Sequence, residues 1–310
     1  MPKIISNIVF TRNRPLQLEG YLESLYRHFP KGLLQTYIIY KVDLFDSEYS
    51  QLFQKYPDCI VIEETGFHDD FVALIDRLET KYILFGTDDV VYFDSVDFGI
   101  IDQTFGAFPD DIFGFSLRLS LDYVKSGSDV VEEFTVAGQA VYRINWKKGK
   151  LPNTKYPFEL DSTVYQTDLV RKVVKKVAKD YPILKKLFNP TSLHVKLLKR
   201  IISMKNFLVS IDTFFNPNTL ESYCYRWCRN HKGKVPSYIY FQKICSTAIQ
   251  INTVNTFSNE KNFIRPVKGK SVIELNEKYR SGLRLDIEAI EKNKPRATHV
   301  WSEYFKLKRL

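Results

Sequence analysis

Cysteine is scarce in this chain of 310 residues, and Cys59, Cys224, Cys228 and Cys245 are too few and too unevenly spread for a disulfide framework. Cys224 and Cys228 stand one helical turn apart, but no second pair follows to complete a zinc site. All four are expected to be reduced and structural. No run of about 18 apolar residues occurs, so the sequence predicts no membrane-spanning helix. Nothing after MPKIIS follows a signal-peptide pattern either, and a cytoplasmic location is the expectation. No glycine-rich loop follows the first apolar strand, which excludes the P-loop and the dinucleotide fingerprint. Internal repeats and low-complexity tracts are also missing.

What is there is ordinary in bulk and uneven in detail. Hydrophobic residues make up 44% and charged residues 26%, the proportions of a soluble globular protein long enough for a full core. The net charge of +9 hides an asymmetry. Residues 1–160 carry 16 Lys and Arg against 24 Asp and Glu, whereas residues 161–310 carry 29 against 12. The acidic first half and the basic second half call for different partners.

Apolar patterning divides the first half into alternating strands and helices. Ile4–Phe10 reads as a strand, TRNRP as a polar turn, and Leu18, Leu22, Leu25 and Tyr26 as the buried stripe of a helix opened by Pro15. Thr36–Val42, Cys59–Ile62 and Tyr82–Phe85 continue as strands, with helices over Ser47–Tyr56 and Phe67–Leu78 between them. Four strands in series with three helices between them predict an α/β fold with a mainly parallel sheet and right-handed crossovers. Further strands are expected over Asp111–Leu119, Phe134–Ile144 and Ser162–Gln166. Helices are expected from Asp168 to Leu208, over Pro217–Asn230 and near Ser271–Tyr279, with an apolar segment at Tyr238–Ile251. Residues 1–167 form the expected core, and residues 168–310 a basic helical region that completes the domain.

The stretch KYILFGTDDVVYFD, Lys81–Asp94, places Asp88 and Asp89 just past the end of the fourth strand. In an open α/β sheet that edge is where ligands bind. Adjacent carboxylates there need solvent, hydrogen bonds or a cation, and a hard divalent ion shared with a substrate's phosphates meets the need. A solvated acidic turn would have the same sequence. Thr11, Arg12 and Arg14 fall on the same edge, where arginines suit a diphosphate, and Lys41 and Asp43 end the neighbouring strand.

A strand followed by T-x-N-R-P, a helix, further β/α units and an apolar strand ending in FGTDDVV resembles the nucleotide-sugar domain of GT-A glycosyltransferases, above all the family-2-like group. The resemblance covers residues 4–230. It implies a nucleoside-diphosphate-sugar donor, a glycan or lipid-linked glycan acceptor, and a role in surface polysaccharide or glycan synthesis. Where those enzymes carry D-x-D, this chain has Thr87 at the first acidic position. The resemblance implies Asp89 as ligand to Mg²⁺ or Mn²⁺ and Asp88 as contact to the ribose or the metal. It also implies an acceptor-side strand in ELDSTVYQTDLV, led by Glu159 and Asp161, and a general base at Glu221 in NPNTLES, with Asp161 and Glu159 as the rival sites for that base. A carboxylate on a first helical turn also offsets the helix dipole, so Glu221 has a structural alternative. His299, in ATHVWSEYF, stands where such enzymes sometimes close the metal site with a late His, although a lone His can equally be a packed one.

Residues 171–205 hold 11 Lys and Arg with Asp180 as the one acid, interleaved with valines, leucines and isoleucines. Such a segment suits an anionic membrane surface, or a solvated helix with its stripe turned inward. No base-reading module is present, so nucleic acid is not the expected partner. A basic adaptor and a nucleotidyltransferase are the rival readings, the latter weakened by the missing glycine-rich loop.

Overall fold

The computed structural model describes residues 3–178, 216–230, 237–252 and 269–309. The first half alternates as the patterning requires: β1 (Ile5–Arg12), α1 (Pro15–His28), β2 (Leu34–Lys41), α2 (Asp46–Lys55), β3 (Ile60–Glu63), α3 (Phe67–Arg77) and β4 (Tyr82–Thr87). Then come β5 (Val90–Tyr92), α4 (Phe98–Ala107), β6 (Ile112–Ser116), α5 (Leu121–Ser126), β7 (Val131–Val136), β8 (Gln139–Asn145), β9 (Thr163–Gln166) and α6 (Thr167–Ala178). Beyond them lie α7 (Pro217–Asn230), β10 (Ser237–Phe241), β11 (Ser246–Ile249), α8 (Val272–Arg280), β12 (Leu283–Leu285), α9 (Ile287–Lys292), β13 (His299–Val300) and β14 (Leu307–Arg309).

Nine strands form the central sheet in the order β3-β2-β1-β4-β9-β6-β10-β8-β7. Pair by pair, β9 and β8 run against the rest and seven strands share one direction, so the sheet is mainly parallel. Strand alternation sorts its side chains into two cores. Val9, Ile38 and Leu84 face α1, α2 and α4, while Ile8, Phe10, Ile39, Ile83 and Phe85 face α3, α6 and α7. A third cluster packs β5 and β11 under α8 and α9.

Three differences from the sequence reading have local causes. The single strand expected over Phe134–Ile144 is the hairpin β7–β8, turned at Ala137 and Gly138, whose φ angles of 46° and 80° are those of a tight hairpin turn. The apolar segment at Tyr238–Ile251 is two strands in two sheets. Its first part, β10, lies between β6 and β8, so the second half of the chain contributes to the main sheet. Finally, α6 turns Val170, Val173, Val174 and Val177 into the core. Its apolar stripe is thus used internally, and the rest of the basic stretch, from residue 179 to 208, lies outside the described residues. No helix among the described residues is long and apolar enough to cross a membrane.

Gly86 shows how tightly α1 seats on the sheet beside the site. A Cβ at this position would fall 2.2 Å from the Tyr21 hydroxyl, which is fully buried and donates to Asn7 Oδ1 at 2.6 Å. Gly86→Ala is therefore expected to cost about 1–3 kcal/mol through overpacking. Urea unfolding checks it: the midpoint should fall at unchanged slope, and an unmoved midpoint would refute this account.

Candidate active site

The parallel strands β1, β2, β4 and β6 all end on one edge of the sheet. Because β9 runs antiparallel, the residues leading into it, Glu159–Ser162, arrive at that same edge. The small sheet β13-β11-β5 closes the edge, pairing Ala248 with both Val90 and His299, while Ile249 N donates to the Asp89 carbonyl at 2.8 Å. Topology alone thus gathers Asp88, Asp89, Glu159, Asp161 and His299.

The two adjacent aspartates do different things. Asp88 is buried, 3% exposed, and both of its carboxylate oxygens are taken. Thr11 Oγ1 donates to Oδ2 and Arg14 Nη1 to Oδ1, each at 2.8 Å. A relay runs behind them, with Arg14 N donating to the Tyr49 hydroxyl at 2.9 Å and that hydroxyl 2.8 Å from Thr11 Oγ1. Arg14 also donates to the Asn252 carbonyl. Burial pushes the Asp88 carboxyl up to about 6, with Arg14 opposing and Asp89 reinforcing. Thr11, Arg14 and Asp88, expected to touch substrate or metal, are therefore engaged with one another inside the protein. The cause is the cost of a buried carboxylate, which Arg14 offsets.

Asp89 keeps partial exposure, with Oδ2 3.7 Å from the same Arg14 Nη1. Thr87 Oγ1 lies 2.7 Å from Asp89 Oδ1 and equally 2.7 Å from Asp161 Oδ1. A hydroxyl has one proton, so two carboxylates share a single donor across Thr87. Asp161 is presented there by Ser162, whose φ of 54° is left-handed and whose backbone is held on both sides, N to the Phe85 carbonyl at 2.8 Å and O from Leu117 N at 3.0 Å.

Behind Asp161 lies Arg118, which the sequence reading missed. Its guanidinium is buried at the end of β6, with Nη1 3.2 Å from both Asp161 Oδ2 and His299 Nε2, and Nη2 donating to Glu159 Oε2. Glu159 also accepts from the Thr163 hydroxyl. A lone Arg in SLRLSL, an otherwise apolar strand end, is the signal that could have revealed it. Burial lowers the His299 pKa, and Arg118 adds to this against the pull of Asp161 and Asp89. The neutral ring accepts from Arg118 at Nε2, while Nδ1 lies 3.2 Å from the Thr298 hydroxyl. Its Nε2 is thus engaged by Arg118, and no group of three or more His, Cys, Asp or Glu among the described residues is arranged to hold a metal. The donor set fits a hard divalent ion only as one that takes Asp89 and completes its shell with ligand oxygens and water.

Glu221 lies just past the first turn of α7, which begins at Pro217, so it does not sit at the helix terminus where the dipole would be offset, and it accepts from Leu160 N at 3.1 Å. Burial, then Asp161, push its carboxyl up to about 8. Because the folded-state value exceeds the ordinary 4.5, the native state holds this proton more tightly, and the associated stability is lost as pH rises through about 8. Glu221→Gln, the isostere of the protonated form, should leave stability less dependent on pH between about 5 and 9. Thermal unfolding across that range checks it: parallel wild-type and variant curves would contradict the shift.

Arg12, Lys41 and Asp43 occupy the β1–β2 end of the edge. Arg12 Nε donates to Asp43 Oδ2 at 2.8 Å, and Lys41 pairs with Glu64 at 3.1 Å. All three side chains remain partly exposed, so these pairs can be exchanged for a ligand's.

No model of a known protein family matches the sequence. The chain is similar to the bifunctional glycosyltransferase pgtA of Dictyostelium discoideum, 18% identical over 238 residues, which are 68% of this chain and 31% of that protein. Among solved structures it overlaps S. aureus TarS residues 1–349 in complex with UDP-GlcNAc, with TM-score 0.38 and 14% identity over 59% of this chain and 48% of that one. It also overlaps the mannosyltransferase PcManGT from Pyrobaculum calidifontis, in complex with GDP-Man and Mn²⁺, with TM-score 0.36 and 11% identity over 57% and 47%. For a 4-diphosphocytidyl-2C-methyl-D-erythritol synthase the TM-score is 0.33 at 11% identity, over 56% and 79%. Over 68% of its length the chain is similar in sequence to a glycosyltransferase, of which it spans about a third, and its described residues form a mainly parallel α/β sheet flanked by helices.

Proposed function

We propose that this protein is a glycosyltransferase that moves a sugar from a nucleoside-diphosphate sugar to a hydroxyl group of a glycan or lipid-linked glycan, with inversion at the anomeric carbon. The observation that carries the reading is the pair Asp89 and Asp161 on either side of Thr87. One carboxylate belongs to the β4 end and the other to the lead-in of β9, so two groups with separate tasks face one space. Asp89 would hold Mg²⁺ or Mn²⁺ together with the donor's diphosphate oxygens. Bound there, the ion offsets the charge of the departing diphosphate. A cation is also favoured by the local balance, in which the carboxyl groups of Asp88, Asp89, Glu159 and Asp161 outnumber the guanidinium groups of Arg14 and Arg118.

On the acceptor side, Asp161 takes the proton from the attacking hydroxyl. The sequence reading favoured Glu221, but a carboxyl pushed up to about 8 is mostly protonated at neutral pH. Arg12, Lys41 and Asp43 would meet the nucleotide at the far end of the edge. An acceptor carried on a lipid suits α6, whose Lys172, Lys175 and Lys176 are exposed beside the buried valines.

A panel of nucleotide sugars with Mn²⁺ or Mg²⁺, read by thermal shift and by release of nucleoside diphosphate, tests the proposal. One sugar nucleotide should raise the melting temperature in a metal-dependent way. If none of the panel shifts it and none is turned over, the reading falls.

A further inference from the structure

We infer that Arg118 is a positioning residue, whose buried guanidinium sets the place of the Asp161 carboxylate in the site. The inference rests on the glycosyltransferase reading and adds to it a residue outside the groups that meet donor or acceptor.

Four observations support it. Arg118 is 3% exposed, so solvent cannot stand in for its charge. Its Nη1 alone bridges two elements, reaching Asp161 in the lead-in to β9 and His299 on β13, while Nη2 reaches Glu159. The backbone beside it is fixed: Leu117 N donates to the Ser162 carbonyl at 3.0 Å, and the Leu117 carbonyl accepts from Cys245 N at 2.8 Å and Ser246 N at 3.1 Å. Asp161 is gripped at both ends, Oδ2 by Arg118 and Oδ1 by Thr87, which fixes the carboxylate plane. Guanidinium geometry matters here, because a planar fork holds Nη1 and Nη2 apart in a fixed orientation toward separate partners, whereas an ammonium gathers its donors on one freely rotating nitrogen. Without it, Glu159 and Asp161 would face one another with no counter-charge, and the shared Thr87 proton alone would hold Asp161 against that repulsion.

The competing account makes Arg118 a counter-ion for buried Glu159 and nothing more. Arg118→Met alone cannot separate the two, because it strands a buried carboxylate and destabilises the fold. Removing both partners, in Arg118→Met with Glu159→Met, restores an uncharged interior. The double variant should melt near the wild-type temperature, yet turn over about 10²-fold more slowly with a donor KM within about threefold of wild type, as displacement of one reacting group by about 1 Å requires. Arg118→Lys should show the same split between kcat and KM. Wild-type kcat in the stable double variant, or in Arg118→Lys, overturns the inference. If the wild type itself turns over no nucleotide sugar, the glycosyltransferase reading has failed independently. A crystal structure of the double variant then decides the positioning claim: Asp161 still within hydrogen-bond distance of Thr87 refutes it, and Asp161 rotated away upholds it.

Discussion

Asp161→Asn is expected to lower turnover by about 10²- to 10⁴-fold with little change in donor binding, the size of effect that follows loss of a positioned general base. The amide keeps the shape of the carboxylate, with its oxygen able to stay on Arg118 and its NH2 able to donate to the Thr87 hydroxyl oxygen, but it cannot take a proton. Glu221→Gln made in parallel should be nearly silent at pH 7, because Gln copies the form that Glu221 holds below about 8. The comparison separates the two carboxyl groups without a structure. If Glu221→Gln is the dead variant and Asp161→Asn the active one, the base belongs on α7. Full activity in both would remove single displacement by a side-chain base altogether.

Asp89→Ala should abolish both transfer and metal-dependent nucleotide binding while leaving the fold intact. Asp89 is the outward member of the pair, and its loss relieves repulsion with Asp161 and opens no core cavity. Asp88→Ala should behave differently. It takes from the buried Arg14 guanidinium its close carboxylate partner, leaving Asp89 at 3.7 Å as the remaining counter-charge, and is expected to cost about 3 kcal/mol, a loss of stability before any question of catalysis arises. Calorimetry with UDP, GDP and dTDP in the presence of Mn²⁺, beside thermal unfolding, reads both. Unchanged metal-dependent affinity in Asp89→Ala would falsify the metal assignment.

The contrast between these neighbours shows where the sequence stops being readable. That β4 ends in two acids on the ligand-bearing edge follows from an apolar run closed by Gly86 and from the order of the preceding units. Which acid turns inward does not follow, because the answer is the position of Arg14, 74 residues earlier in the chain. The same limit hid Arg118, whose partners lie 41, 43 and 181 residues away in sequence. Local pattern reports an apolar strand end, and only the packed sheet reports what a charge there meets. His299 has the opposite lesson. Its place beside the carboxylates follows once β13 pairs with β11, yet its Nε2 is engaged by Arg118. The hairpin β7–β8 was legible in principle, since a glycine after alanine in FTVAGQAVY marks a turn, but the continuous apolar content on both sides obscured it.

The antiparallel strand β9 has a metric consequence. It occupies the middle of the sheet, with β4 on one side and β6 on the other, so Asp161 lies between the strand ends that carry Thr87 and Arg118. Neighbouring strands hydrogen-bond at a nearly invariant spacing of about 4.8 Å. The width of the reaction centre is therefore measured out by the backbone ladder, two rungs across, and side-chain substitution cannot stretch it. Differences in which sugar or hydroxyl fits must be written outside that ruler, as at the β1–β2 end where the partly exposed Arg12 and Asp43 pair.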